Sequence, residues 1–174
     1  ISAAALAKIS KLWIQHLSNI VWSFATLEFK DRTLLDAIAE QALAKITSFS
    51  PQQLSNTAWS YASLSVFDVP LFEAIATAAV ASIREFNTQA LANTSWALAV
   101  IGFRHPPLIE AISGAALRSI LEFEAQGLAN IAWSWSTLTV NDRPLFAALA
   151  PAASRSLRQF APQNLANTAW AFAV

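Results

Sequence analysis

Apolar residues recur along this chain at helical spacing. From Pro70 to Phe86 they fall at Leu71, Ile75, Ala79, Ile83 and Phe86, three or four residues apart, as on one face of an α-helix. Counterparts run from Thr33 to Phe49, Pro107 to Phe123 and Pro144 to Phe160. Pro70, Pro107 and Pro144 suit the first turn of such a helix, where a missing N–H costs nothing. This segment is called helix B. Between its copies lies a second phrase: QQLSNTAWSYAS from Gln52, QALANTSWALAV from Gln89, QGLANIAWSWST from Gln126, QNLANTAWAFAV from Gln163 and a looser QHLSNIVWSFAT from Gln15. This phrase reads as helix A. Pro51 and Pro162 precede it, Ser50 or Asn87 can cap it, and it ends near Leu64, Ile101 or Leu138. The following turns, SVFDVP, GFRHPP and TVNDRP, combine a buried apolar residue, polar turn formers and proline. No alternating strand pattern of useful length is present.

The phrase keeps a fixed step. Its tryptophans are Trp22, Trp59, Trp96, Trp133 and Trp170, each 37 residues after the last. The same step joins Asn19, Asn56, Asn93, Asn130 and Asn167, the glutamines that open the phrase, and Leu17, Leu54, Leu91, Leu128 and Leu165. One antiparallel helix pair cannot bury both its apolar faces, whereas stacked pairs can. The expected fold is therefore all-α: an α-solenoid of helix-turn-helix repeats with a 37-residue period, a single array over residues 1–174 with partial first and last repeats. The chain begins at Ile1 and stops inside the fifth phrase, as expected of a piece of a longer protein. Pro151, deep in the fourth helix B, removes a hydrogen bond and predicts a local kink.

Composition narrows the function. The 55% hydrophobic content and a mean hydropathy of +0.42 invite a membrane reading. No stretch approaches the roughly 18 consecutive apolar residues of a spanning helix, and alanine supplies much of the hydrophobicity. Cysteine is absent, which removes disulfides, thiolate zinc sites and cysteine nucleophiles. Gly102, Gly114 and Gly127 lie too far apart for a phosphate-cradling loop. His16 and His105 do not recur and read as surface histidines. Asp36, Glu73 and Glu110 recur one per repeat, as a solvated face, and Ala147 replaces them in the fourth copy. No convergent catalytic site is found, so neither enzyme activity, cofactor, metal nor small-molecule substrate is expected.

The recurring Trp reads as core packing, with its indole N–H on a carbonyl. The Asn reads first as a hydrogen bond fixing the stacking of repeats and second as a ligand contact. One residue further on, a stripe at i, i+4 and i+7 varies between copies. It comprises His16, Ile20 and Ser23; Gln53, Thr57 and Ser60; Ala90, Thr94 and Ala97; Gly127, Ile131 and Ser134; Asn164, Thr168 and Ala171. A constant scaffold with changing contact residues suits a modular RNA reader, which uses two or three side chains per base. Small residues tolerated at a helix–helix contact explain the same stripe equally well. The candidate RNA contacts are Asn19, Asn56, Asn93, Asn130 and Asn167 with Gln53, Thr57, Ser60, Thr94, Ser134, Asn164 and Thr168. Arg84 and Arg158 share a register, as do Arg118 and Arg155, and Lys8 and Lys45; they could line one rim near phosphates. Eleven basic residues against eleven acidic ones leave little counterion release to drive nucleic-acid binding.

The phrase Q-x-L-A-N-T-x-W-A-x-A, carried by Gln89, Leu91, Ala92, Asn93, Trp96, Ala97 and their equivalents, resembles the signature of octotricopeptide repeat proteins. It is still more similar to their 37-residue relatives, the heptatricopeptide repeats. That resemblance implies an α-solenoid binding single-stranded RNA in a mitochondrion or chloroplast, acting in RNA stability, processing, translation or ribosome assembly. Some members carry a C-terminal RAP domain, which nothing here matches. The alternative is a protein–protein scaffold or structural subunit of a large ribonucleoprotein assembly.

Overall fold

The computed structural model describes residues 2–174 and forms ten α-helices. After α1 (Ser2–Leu6) come α2 (Ile14–Thr26) and α3 (Arg32–Leu43), α4 (Pro51–Ser63) and α5 (Val69–Ser82), α6 (Thr88–Ile101) and α7 (Pro106–Arg118), α8 (Ala125–Thr137) and α9 (Arg143–Ser156), and α10 (Pro162–Ala173). No strand occurs among the described residues. The even-numbered helices from α2 carry the phrase of helix A and the odd-numbered ones from α3 are helix B. Helix B is shorter than its apolar period suggests: its last turn tightens into 3-10 turns such as Ile83–Glu85 and Ile120–Glu122. Phe86 and Phe123 then leave in extended conformation with their rings buried. Pro151 lies within α9, and the helix runs on through it to Ser156.

Each start has a chemical cause. Asp31, Asp68 and Asp142 cap α3, α5 and α9 by accepting the N–H of Leu34, Leu71 and Leu145. His105 occupies the same place before α7, and its Nδ1 accepts the Leu108 N–H at 3.1 Å. The histidine read as a surface residue is thus a half-buried helix cap. Ser50 caps α4 reciprocally with Gln53, and Asn87 caps α6, both as expected. His16, exposed, accepts the Trp13 N–H through Nδ1.

The ends of α2, α4, α6 and α8 share one device. Glu28, Ser65, Gly102 and Thr139 all have φ between 52° and 67°. The N–H one residue later returns to the carbonyl five residues back: Phe29 to Phe24, Val66 to Tyr61, Phe103 to Leu98 and Val140 to Trp135. This is a Schellman stop. It turns the chain sharply enough for helix B to fold back antiparallel on helix A.

The helices form two rows. α2, α4, α6, α8 and α10 pack side by side in chain order, as do α3, α5, α7 and α9, and α2, α4, α6 and α8 each lie on the helix B that follows. The A row is much the more intimate. Its flanks carry small side chains, among them Ala62, Ala92, Ala97 and Ala129, all buried, which lets backbones approach closely. Between the rows, Leu17, Leu54, Leu91 and Leu128 are at most 2% exposed. The largest core side chains carry polar tips that are satisfied: Tyr61 Oη donates to the Leu35 carbonyl (2.6 Å), and Trp135 Nε1 donates to Ser113 Oγ (2.9 Å).

Candidate functional site

Helix A presents four sides in this arrangement. Leu54, Ala58 and Tyr61 of α4 face the B row, and the two flanks meet neighbouring A helices. The fourth side is open. It holds Gln52, Asn56 and Trp59, which sit at i, i+4 and i+7 and therefore share one stripe. The equivalent residues of α2, α6, α8 and α10 lie on the same side. Two adjoining cavities run along it. One, of about 490 Å³, reaches from Trp22 across Gln52, Asn56 and Trp59 to Gln89, Asn93 and Gln126, so it touches four helices. The other, of about 360 Å³, continues past Asn93 to Asn130, with Glu122 and Glu124 at its side.

The recurring tryptophans are therefore not sealed in the core, although Trp59, Trp96 and Trp133 pack against its edge. Trp22 and Trp170 are 46% and 45% exposed, and Trp59, Trp96 and Trp133 are half-buried. The Trp59 and Trp96 rings stand 6.2 Å apart at 34°, two tilted shelves on neighbouring helices. No indole N–H of the five bonds a carbonyl among the described residues; Trp135, off this register, is the packed one. The spacing could have revealed this: Trp59 is two turns from polar Gln52 and nearly opposite the Leu54–Tyr61 arc.

The asparagines also depart from the first expectation. Asn19 Oδ1 accepts from Gln15 Nε2 at 2.9 Å on its own helix. The side-chain amides of Asn56, Asn93, Asn130 and Asn167 make no hydrogen bond among the described residues, so they do not fix the stacking of helices. They are half-buried on the open side, each with two donors and an acceptor unused.

The variable stripe lies about 100° around the helix from this side and is closed. Thr57, Ser60, Thr94 and Ser134 are at most 1% exposed, as are Ala97 and Ile131. They pack on the flank of the preceding A helix: a Cβ on Gly127 would stand 3.7 Å from Ala92 Cβ and 2.9 Å from the Phe123 ring. Side chains sealed in this way cannot reach a base, so of the two readings the helix–helix contact is the one the geometry supports. Gln53 spends its amide on its neighbours, donating from Nε2 to Gln15 Oε1 at 2.9 Å. Asn164 and Thr168 hold the same register on α10 and are half-buried. Arg84, Arg118, Arg155 and Arg158 are exposed at the ends of helix B, and none lines either cavity of the open side. Of the expected basic rim, Lys45 lines a cavity with Gln15 and Gln53, whereas the four arginines are not brought to the row of asparagines.

Among the described residues no group of His, Asp and Glu is placed to hold a metal ion, and no helix is long and apolar enough to cross a membrane. A family model described as RNA-editing substrate-binding complex 6 protein matches residues 67–174. No curated protein matches the chain. The family match overturns the octotricopeptide and heptatricopeptide assignment. The Gln–Leu–Asn–Trp phrase on which that rested marks a helix with one packed edge and one polar open edge, a requirement separate families can meet. The chloroplast, expected only through that resemblance, loses its support with it. On the match over residues 67–174, more than half its length, the chain belongs to the family of RNA-editing substrate-binding complex 6 proteins.

Proposed function

We propose that this chain is a non-enzymatic scaffold subunit of a mitochondrial RNA-editing ribonucleoprotein, built as one α-solenoid of 37-residue repeats that docks partners along its row of A helices. The family description supports the setting. The observation that carries the scaffold role is the open side: a periodic row of unbonded carboxamides and exposed or half-buried indoles spanning neighbouring helices. Such groups donate and accept hydrogen bonds and stack, but near neutral pH they transfer no protons. They suit recognition rather than catalysis.

Association of the tagged chain with the other subunits of the complex, compared before and after ribonuclease treatment, tests this. Retention after digestion is expected of a protein scaffold; release would make the chain a passenger on RNA. Direct single-stranded RNA binding is the second reading, favoured by the Trp59 and Trp96 shelves, on which bases could stack. Titration with a single-stranded oligonucleotide at two salt concentrations addresses it. With no Arg or Lys lining the cavities that hold Asn56, Asn93 and Asn130, binding there is expected to be weak and nearly independent of salt.

A further inference from the structure

From the open side we infer that this face holds an extended, unstructured polypeptide segment of a partner, one carrying a basic side chain. The inference rests on the scaffold reading for the source of that partner and on the geometry for its form.

A row of like groups at a constant step calls for a ligand that also repeats linearly. Asn56, Asn93 and Asn130 present such a row, each amide without a partner among the described residues. A carboxamide offers both a donor and an acceptor, which complements a peptide group's C=O and N–H. Packed helices lie about 8–10 Å apart, and an extended chain advances about 3.3 Å per residue. One Asn would therefore meet the backbone every two to three residues. The side chains between would lie across the Trp59 and Trp96 faces, 6.2 Å apart, where aliphatic stems and cations are well received.

Charge decides between polypeptide and nucleic acid. The two cavities that hold Asn56, Asn93 and Asn130 contain no Lys or Arg, while Glu122 and Glu124 border the one between α6 and α8; Lys30 reaches the neighbourhood of Trp59 only together with Glu28. Neither carboxylate has an ion-pair partner within 4.0 Å among the described residues. A polyanion would meet repulsion there and gain no phosphate neutralisation. A Lys or Arg side chain on a neutral backbone would meet attraction.

The test uses the full chain and an array of synthetic 15-residue peptides tiling the other subunits of the complex, with oligouridylate as the competing probe. Peptides rich in Lys or Arg should bind. Replacing Asn56, Asn93 and Asn130 by Ala should weaken the best peptide about 100-fold, at about fivefold per hydrogen bond, with the melting temperature unchanged. E122Q/E124Q should weaken basic peptides and leave neutral ones unaffected. Asn93→Leu, which keeps the branching and heavy-atom count of the side chain but no hydrogen-bonding group, repeats the test if the triple variant unfolds. Oligouridylate binding that depends on the same three asparagines, with no peptide bound, would overturn the proposal in favour of RNA. Peptide binding indifferent to those asparagines would move the site off this face and overturn it too. If no peptide binds while the chain still joins the complex without RNA, the inference fails and the scaffold stands. If the chain does not join the complex at all, the scaffold reading fails with it.

Discussion

Thr94 shows what one side chain decides. Its hydroxyl is buried between α4 and α6 with no hydrogen-bond partner among the described residues, as is that of Thr57. A buried hydroxyl without a partner destabilises by about 1–3 kcal/mol. Thr94→Val fills nearly the same space and removes the unbonded oxygen, so the variant is expected to be more stable by about 1 kcal/mol, or 2–4 °C in melting temperature. Its ligand binding should not change. A loss of RNA or peptide affinity in Thr94→Val would return this residue to the recognition surface. Tyr61 makes the complementary case, a polar group that is buried and satisfied. Burial pushes its phenol well above the ordinary value near 10, and the charges of Asp68 and Asp36 push the same way, against Arg32. Above pH about 10 the unfolded chain loses this proton while the folded one keeps it, so the folded state binds more protons and stability falls as pH rises. Unfolding followed across this range should show a steeper decline for the native chain than for Tyr61→Phe. Parallel declines would mean that the phenol ionises as readily in the fold. Because Tyr61 is the single tyrosine, absorbance of the phenolate reports its ionisation directly.

The helices were legible in the sequence because their signals are local. The apolar period of helix B, the prolines in its first turn and the Ser50 and Asn87 caps all act within four residues of themselves, and each element lies where they put it. The faces were less legible, because a face is defined by what neighbouring helices do. Trp suits a core slot and an open shelf equally, so Trp22 and its equivalents were read as core; only their phase with Gln and Asn points outward. Small residues suit a packed flank and a modular reader equally, and Thr57 and Ser134 proved to be flank. The ends of helix A near Leu64, Ile101 and Leu138 were legible, but the left-handed residue that makes each stop was plain only at Gly102. Glu28, Ser65 and Thr139 adopt the same backbone at an energetic cost that glycine would avoid. Ser65→Gly is therefore expected to stabilise the α4–α5 turn by about 1 kcal/mol, since the Ser65 hydroxyl makes no bond there among the described residues and the Lys30 contact is to its main-chain carbonyl. Thr139→Gly should yield less, because it also loses the Arg104 Nη1 donation to Thr139 Oγ1 at 2.9 Å. Equal gains from the two in thermal melts would assign the effect to something other than the backbone angle.

At the scale of the whole molecule, stability depends on a line of neighbours. An A helix inside the row packs on an A helix at each side and on its helix B, so α6 has α4, α8 and α7. Among the described residues α10 has α8 alone beside it in the A row, and at one register Leu165 is 43% exposed, whereas Leu54 and Leu91 are 1% exposed. At about 25 cal/mol per Å² of apolar surface, an uncovered leucine forfeits on the order of 1 kcal/mol of burial. In a linear array such deficits are not shared across a common core; each helix feels chiefly its immediate neighbours. Native-state hydrogen exchange should accordingly be graded along the chain. In the chain of residues 1–174 the slowest amides are expected in α6 and α7, which have neighbours on both sides, and α10, with α8 alone beside it in its row, should exchange faster than α6. Adding a partner that covers the open side of the A row should slow exchange in α4, α6 and α8 together, since its contacts span them, without restoring α10. If α10 were as protected as α6 in the unliganded chain, opening would be all-or-none. The two rows would then behave as one cooperative bundle instead of a stack, and the periodic face that the proposed function requires would lose its independent rungs.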